Sequence, residues 1–369
     1  MGIELVRRPE RSFVLALLSP LIALALAVIV GGIIFTVIGV NPAKGLYTYF
    51  IQPLTALWSI KDLITKMTPL VLIGVGLAIC YLSNTWNIGA EGQFALGGIF
   101  AAFLPVYFPH TGGPLIVVLM VLLGILGGML WAGIPAVLKV RFGTNEILTS
   151  LMLVYVAQLL LDWVARSPWR DPAGHNFPNS RAFSPDQMLP NIFGLRLNFY
   201  LAIIIAIAAW YMLKNMLTGF QIRVLGQAPR AGAFAGFSQN RMILLAFLIS
   251  GGLAGLAGAS EVMGPLGQLK IAISPGYGFT AIIVAFLGRL NPLGIIVASF
   301  VLALSIIGGQ AVQIQFHVSS QFANVFQGVL MLLVLATDTF IFYRIRIVRR
   351  PAVPAAVATA TTAGAAHGR

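Results

Sequence analysis

Apolar residues in this chain do not alternate with polar ones. They run on in blocks, and Gly, Pro, Lys and Arg collect between the blocks. The first block, Ser12–Gly39, would reach about 40 Å as a helix at ~1.5 Å per residue. It exceeds the ~7–15-residue apolar core of a signal peptide and is read as an uncleaved first span. Further blocks follow at Thr65–Ser83, Trp86–Phe108, Leu115–Val137, Ile147–Ala165, Asn198–Leu213, Met242–Met263, Tyr277–Leu290, Leu293–Ile307 and Ala323–Tyr343. A helix needs ~20 apolar residues to cross a bilayer core, and most blocks approach that. Tyr277–Leu290 is short, about 21 Å, so it begins inside an outer loop or is broken. Val40–Ile64 reads as a mixed extracytoplasmic linker with room for a short interfacial helix, and Gly308–Phe322 as a polar outer segment. The pattern predicts an all-α polytopic membrane protein with about ten transmembrane helices.

Composition agrees. Of 369 residues, 59% are hydrophobic and 9% charged, against about 25% charged in soluble domains. The net charge of +13 calls for no nucleic acid, because Lys and Arg stand singly or in small groups between apolar spans. Inner segments of a multi-span protein carry such an excess. Counting crossings puts 15 of the 23 Lys and Arg inside and both termini in the cytoplasm. Residues 1–11 form the inner N-terminus, 12–343 the membrane domain, and 344–369 a basic stop followed by an Ala/Thr-rich tail too poor in apolar bulk to order itself. Cys80 is the sole cysteine, and His110, His175, His317 and His367 show no metal-ligand spacing. No Gly-x-x-x-x-Gly-Lys-Ser/Thr, His-Glu-x-x-His or Gly-x-Ser-x-Gly run occurs, so an enzyme of those classes, a resident cofactor or an ATP cradle within this chain is not expected.

Three connections stand out. Arg166–Leu197 is a long outer loop with five prolines, and loops of that length are often functional. Lys139–Glu146 is a short basic inner link, where Thr144 can cap the next helix and Glu146 suits its positive end. Lys214–Arg241 is a longer inner stretch in which Pro229 fits the first turn of a short helix and Gly236 its end. Gly124 with Gly128, and Gly251 with Gly255, have the four-residue spacing that lets helices approach closely.

The chain is organised around Asn84–Gly97, which sets Asn84, Asn87, Glu91 and Gln93 among Gly89, Gly92 and Gly97 between two apolar runs. A carboxylate at membrane depth costs about 2.5–3.5 kcal/mol on an insertion scale and usually faces a cavity or partner. Glu91 therefore either lines a polar, broken-helix route or sits at the water interface in a simple turn; other intramembrane carboxylates are Asp162, Glu261 and Asp338.

Asn87-Ile-Gly-Ala-Glu-Gly-Gln93 resembles the signature of the membrane permeases of ATP-binding-cassette importers, in the branch that handles nucleosides and simple sugars. The resemblance runs over roughly Thr65 to Tyr343. It implies a type II-like importer bundle in a cytoplasmic (inner) membrane, surrounded by lipid. The implied partners are a separate ATPase, a second permease in a heterodimer, and an extracytoplasmic solute-binding protein docking on residues 166–197. It further implies a substrate pathway lined by Trp86, Asn87, Glu91, Gln93, Phe94, Asn145 and Glu146, the aromatics stacking on the solute and the amides bonding to it. Residues 214–241 resemble the coupling loop that fits a groove on the ATPase, with Arg223, Gly226, Pro229, Arg230, Phe234 and Gly236 carrying it and Phe237 a second possible anchor. Nucleosides are the expected solute and simple sugars the alternative. An ion-coupled secondary transporter using Glu91 is the competing mechanism.

Overall fold

The computed structural model describes residues 2–7, 28–174, 177–319 and 343–348, with isolated helical positions at 25, 26 and between 325 and 336. The chain divides into two units, one made of its two ends and one of residues 28–331. In the first unit, β1 (Gly2–Arg7) pairs antiparallel with β2 (Tyr343–Val348), Gly2 opposite Val348 and Arg7 opposite Tyr343. This ribbon was not expected where two basic flanks were read. The remainder of the expected tail, half of span Ser12–Gly39 and most of span Ala323–Tyr343 lie outside the described residues.

The second unit is helical. Its main elements are α1 (Leu57–Leu82), α2 (Ala90–Tyr107), α3 (Pro114–Phe142), α4 (Glu146–Arg166) and α5 (Leu197–Asn215). After them come α6 (Leu217–Gln227), α7 (Pro229–Phe234), α8 (Gln239–Glu261), α9 (Tyr277–Leu287) and α10 (Pro292–Phe316). Six of these, α1, α3, α4, α5, α8 and α10, are long and apolar enough to cross a membrane. α2 has the length, but Glu91 and Gln93 in its first turn dilute its apolarity. α9, at 11 residues, is too short to cross a membrane by itself, which bears out the shortness noted for its block. The described residues thus give a multi-pass all-α bundle rather than a full count of ten.

Burial separates an inner layer from an outer one. The apolar window of α1 is 83% buried within the chain, and those of α3 and α5 only 28% and 22%. A helix apolar on all sides belongs in the centre of a bundle, and α1 fits that description from Met67 to Tyr81. α2, α3 and α8 interlock through glycine. Gly97 faces the backbone of Gly255, and Gly128 faces Gly251 and Gly255, so a Cβ at any of these would overlap a neighbouring main chain. The two small-residue pairs noted separately in the sequence therefore pack on each other. In lipid, such close van der Waals packing is what holds helices together.

Several boundaries move. Val40–Ile64 is helical almost throughout: Pro42–Leu46, the wider-wound Tyr47–Ile51, Gln52–Thr55, and then α1, which starts at Leu57 rather than Thr65. Gly308–Phe316, expected as a polar outer segment, continues α10. The reason is pairing: Thr48 donates to Gln315 across 2.9 Å, and Tyr49 bonds Ser305, so polar side chains of α10 are satisfied by the preceding linker. Asn145, not Thr144, caps α4, accepting from the Ile147 and Leu148 amides at 2.9 and 3.4 Å.

Candidate functional site

α1 ends at Leu82, and Asn84 then takes a left-handed conformation (φ 56°), which its short polar side chain tolerates better than most. The chain runs on without helix through Thr85–Gly89 before α2 begins. Such backbone survives at membrane depth only when protein supplies its hydrogen-bond partners. Here the Ile88 amide donates to Ser150 Oγ of α4 at 3.1 Å, and the Gly89 amide to Asn87 Oδ1 at 3.0 Å. Tyr81 Oη donates to the Asn87 carbonyl at 3.3 Å, and the Trp86 amide reaches Glu146 Oε1 at 3.5 Å.

The side chains of the signature are mostly occupied by one another. Asn87 Nδ2 donates to Gln93 Oε1 at 2.9 Å while Gln93 Nε2 donates back to Asn87 Oδ1 at 3.0 Å. Asn87 Nδ2 also reaches Ser250 Oγ of α8 at 3.0 Å. Both amides are buried, as is Phe94, whose ring lies 5.9 Å from that of Tyr277. Glu91 is buried too, rather than at a water interface. Its carboxylate accepts the Gly278 amide and a bond from Ser274, at the start of α9. Ser274 Oγ in turn accepts the Gly276 and Tyr277 amides at 3.0 and 2.9 Å. An acidic group at a helix N-terminus meets its positive dipole end and its unpaired N–H groups. Glu91 thus ties α2 to the first turn of α9.

Trp86 is the exception: it keeps a partly exposed face and lies 5.1 Å from Tyr81 and 6.1 Å from Phe286, ring to ring. Tyr81 and Phe286 stack at 5.2 Å. Asn145 serves as a helix cap, and Glu146 pairs with Lys139 of α3. Phe286, Ser250 and Ser274 were not singled out from sequence. Each meets the signature from more than fifty positions away, so no local pattern marks them.

The backbone before α9 is propped from outside. The loop between α4 and α5 runs beside Met263–Leu269, with the Phe183 amide donating to the Gly267 carbonyl at 2.8 Å and the Ser180 amide to that of Leu269 at 2.9 Å. The Leu189 amide donates to the Met263 carbonyl at 3.0 Å.

At the C-terminal end of α1, α6 packs against the residues that precede the signature. A Cβ on Gly226 would overlap the Leu82 carbonyl, so only glycine permits this approach. α7 follows, with Pro229 in its first turn and Gly236 beyond its end at φ 80°. Arg223 and Gly226 are half-buried, whereas Pro229, Arg230 and Gly236 are exposed and Phe234 is 94% exposed.

Residues 59–335 match the family described as "Branched-chain amino acid transport system / permease component". The chain belongs to this family. Among related proteins, a glucose ABC transporter permease of Haloferax volcanii is 31% identical over 362 residues, 94% of this chain and 95% of that protein. A guanosine ABC transporter permease of Bacillus subtilis is 29% identical over 326 residues, 87% and 93% of the two chains. A nucleoside ABC transporter permease of Lactococcus lactis is 28% identical over 302 residues, 78% and 82%. This permease is therefore a multi-pass subunit of an ABC importer, and an ATPase works with it.

Proposed function

We propose that this permease moves nucleosides across the cytoplasmic membrane. In that reading, ATP hydrolysis on a separate subunit drives the movement, a second, different permease chain completes the pathway, and a solute-binding protein docks on the outer loop. The packing of Gly226 on the end of α1 carries the mechanism. Residues Pro229–Gly236 present an exposed, short helix with one apolar anchor, Phe234, suited to a groove on a partner. Force applied there passes through Gly226 to Leu82 and Asn84, and from there to Trp86 and the buried Asn87–Gln93 pair. The signature in turn holds the first turn of α9 through Glu91. Movement of the ATPase would then shift α1, α2 and α9 together and open the route inward.

Among the expected pathway residues, Trp86 is the one whose partial exposure suits stacking on a solute. Asn87, Glu91, Gln93, Phe94, Asn145 and Glu146 support the route by holding its helices. The antiparallel pairing of Gly2–Arg7 with Tyr343–Val348 supports placing both ends of the chain on one side, the cytoplasm. The glucose permease relative keeps a simple-sugar reading open as the second choice. Glucose and nucleosides share a ring bearing several hydroxyls, and that moiety is the common chemistry the pathway must accept.

The test is uptake by the complete importer in cells lacking other nucleoside carriers, with radiolabelled guanosine and glucose offered separately. Guanosine uptake that requires the ATPase and survives collapse of the ion gradient is expected. Uptake that persists without the ATPase and stops with the gradient would overturn the reading in favour of a secondary transporter.

A further inference from the structure

One polar cluster inside the bundle is used neither by the signature nor by the coupling segment. Lys66 of α1 lies 3.8 Å from Glu261 at the end of α8, too far for a good hydrogen bond. The Lys66 ammonium also stands 5.7 Å from the centre of the Tyr277 ring, in the first turn of α9. Tyr277 is 0% exposed, and its hydroxyl has no hydrogen-bond partner. The cluster reaches the surface through Lys66, whose side chain is 25% exposed against 5% for Glu261.

A purely structural ion pair would be expected to close to bonding distance and leave no polar atom orphaned. Buried hydroxyls nearly always find a partner, and one that has none calls for an explanation. Beside that one orphaned hydroxyl stands a loosely closed ion pair, and the groups are of three complementary kinds. Lys66 offers N–H donors, Glu261 offers carboxylate acceptors, and Tyr277 offers a hydroxyl able to do either beside an aromatic face. A hydroxylated ring satisfies all three at once: two adjacent hydroxyls bridge the ammonium and the carboxylate, one of them also meets the phenol, and C–H groups lie on the ring. The signature's contribution fits this arrangement, because Glu91 and Phe94 fix the very turn of α9 that carries Tyr277.

We propose that Lys66, Glu261 and Tyr277 form a site that recognises the polyol ring of the solute during its passage, closed in this conformation by Lys66 lying over Tyr277. The proposal rests on the importer function given above. Its test is Tyr277→Phe in the complete importer, assayed with guanosine and with 2′,3′-dideoxyguanosine, alongside the melting temperature of the purified complex. Because the hydroxyl bonds nothing in the resting fold, its removal should leave the melting temperature and ATPase association in place. The guanosine KM should rise about three- to tenfold, the loss expected for one hydrogen bond. The dideoxy analogue, lacking the ring hydroxyls, should be a poor substrate of both proteins and respond little to the substitution. Guanosine uptake with an unchanged KM in a stable Tyr277→Phe complex would overturn the site while leaving the importer function intact. A wild-type importer that takes up neither guanosine nor glucose would overturn the function, and the polyol site with it.

Discussion

Asn87→Ala is the sharpest probe of what the signature does. The side chain makes four hydrogen bonds, two with Gln93, one with Ser250 and one with the Gly89 amide. At a net ~1 kcal/mol each these contribute about 4 kcal/mol, and stranding the buried Gln93 amide adds about 1–3 kcal/mol. The expected loss is therefore about 5–7 kcal/mol, in the range reserved for broken buried networks. A shift of about 2–4 °C per kcal/mol in mid-sized domains makes this a drop of at least about 10 °C in melting temperature. The assay is the fraction of detergent-solubilised complex that stays monodisperse after heating, measured beside ATP-dependent uptake. Stability and uptake should fall together. Asn87→Leu combined with Gln93→Leu should recover part of the stability, because neither side-chain amide of the pair is then orphaned, while the Gly89 amide and Ser250 still lose their partner. An Asn87→Ala complex that melts like the wild type but no longer transports would refute this reasoning and make Asn87 a solute contact instead of a brace.

Other substitutions test the remaining joints. Glu91→Gln keeps an acceptor for the Gly278 amide but removes the charge from the α9 dipole, worth about 1 kcal/mol; uptake should fall while the complex still assembles by size exclusion. Gly226→Val should push α6 off the end of α1, so that the ATPase still co-purifies but its hydrolysis no longer moves solute; normal transport by this variant would remove Gly226 from the force path. Gly255→Leu would drive a side chain into the backbone of Gly124 and Gly128, and little folded permease should appear in membranes by immunoblot. Deleting Ala228–Gly236 should release the ATPase on purification, and its retention would count against coupling through α7.

Periodicity and punctuation made much of this fold readable. Long apolar blocks mark the spans, Pro229 and Gly236 bracket α7, and the brevity of Tyr277–Leu290 announces a helix too short to cross alone. Polar residues misled where their partners lie far along the chain. Gln315 looks like loop until Thr48 is seen to bond it, and Thr144 looks like a cap although Asn145, one residue on, does the capping. The signature was recognisable as a string, but its work was not. Glu91 acts on Gly278, a partner 187 positions away, and nothing near either residue announces the other. Lys66 could have been noticed as a lone cation inside an apolar block, since such a residue needs an anionic partner. Which anion, and that Tyr277 lies beneath it, only the packing of α1, α8 and α9 reveals.

In the proposed mechanism a membrane bundle is worked from its inner face through α7. Cys80 is buried and is the sole native cysteine, so Phe234→Cys places a single accessible thiol on that helix. A membrane-impermeant maleimide should label it in inside-out vesicles and not in intact cells, and bound ATPase should slow the labelling. Modification from the outside of intact cells, or labelling indifferent to the ATPase, would contradict the account.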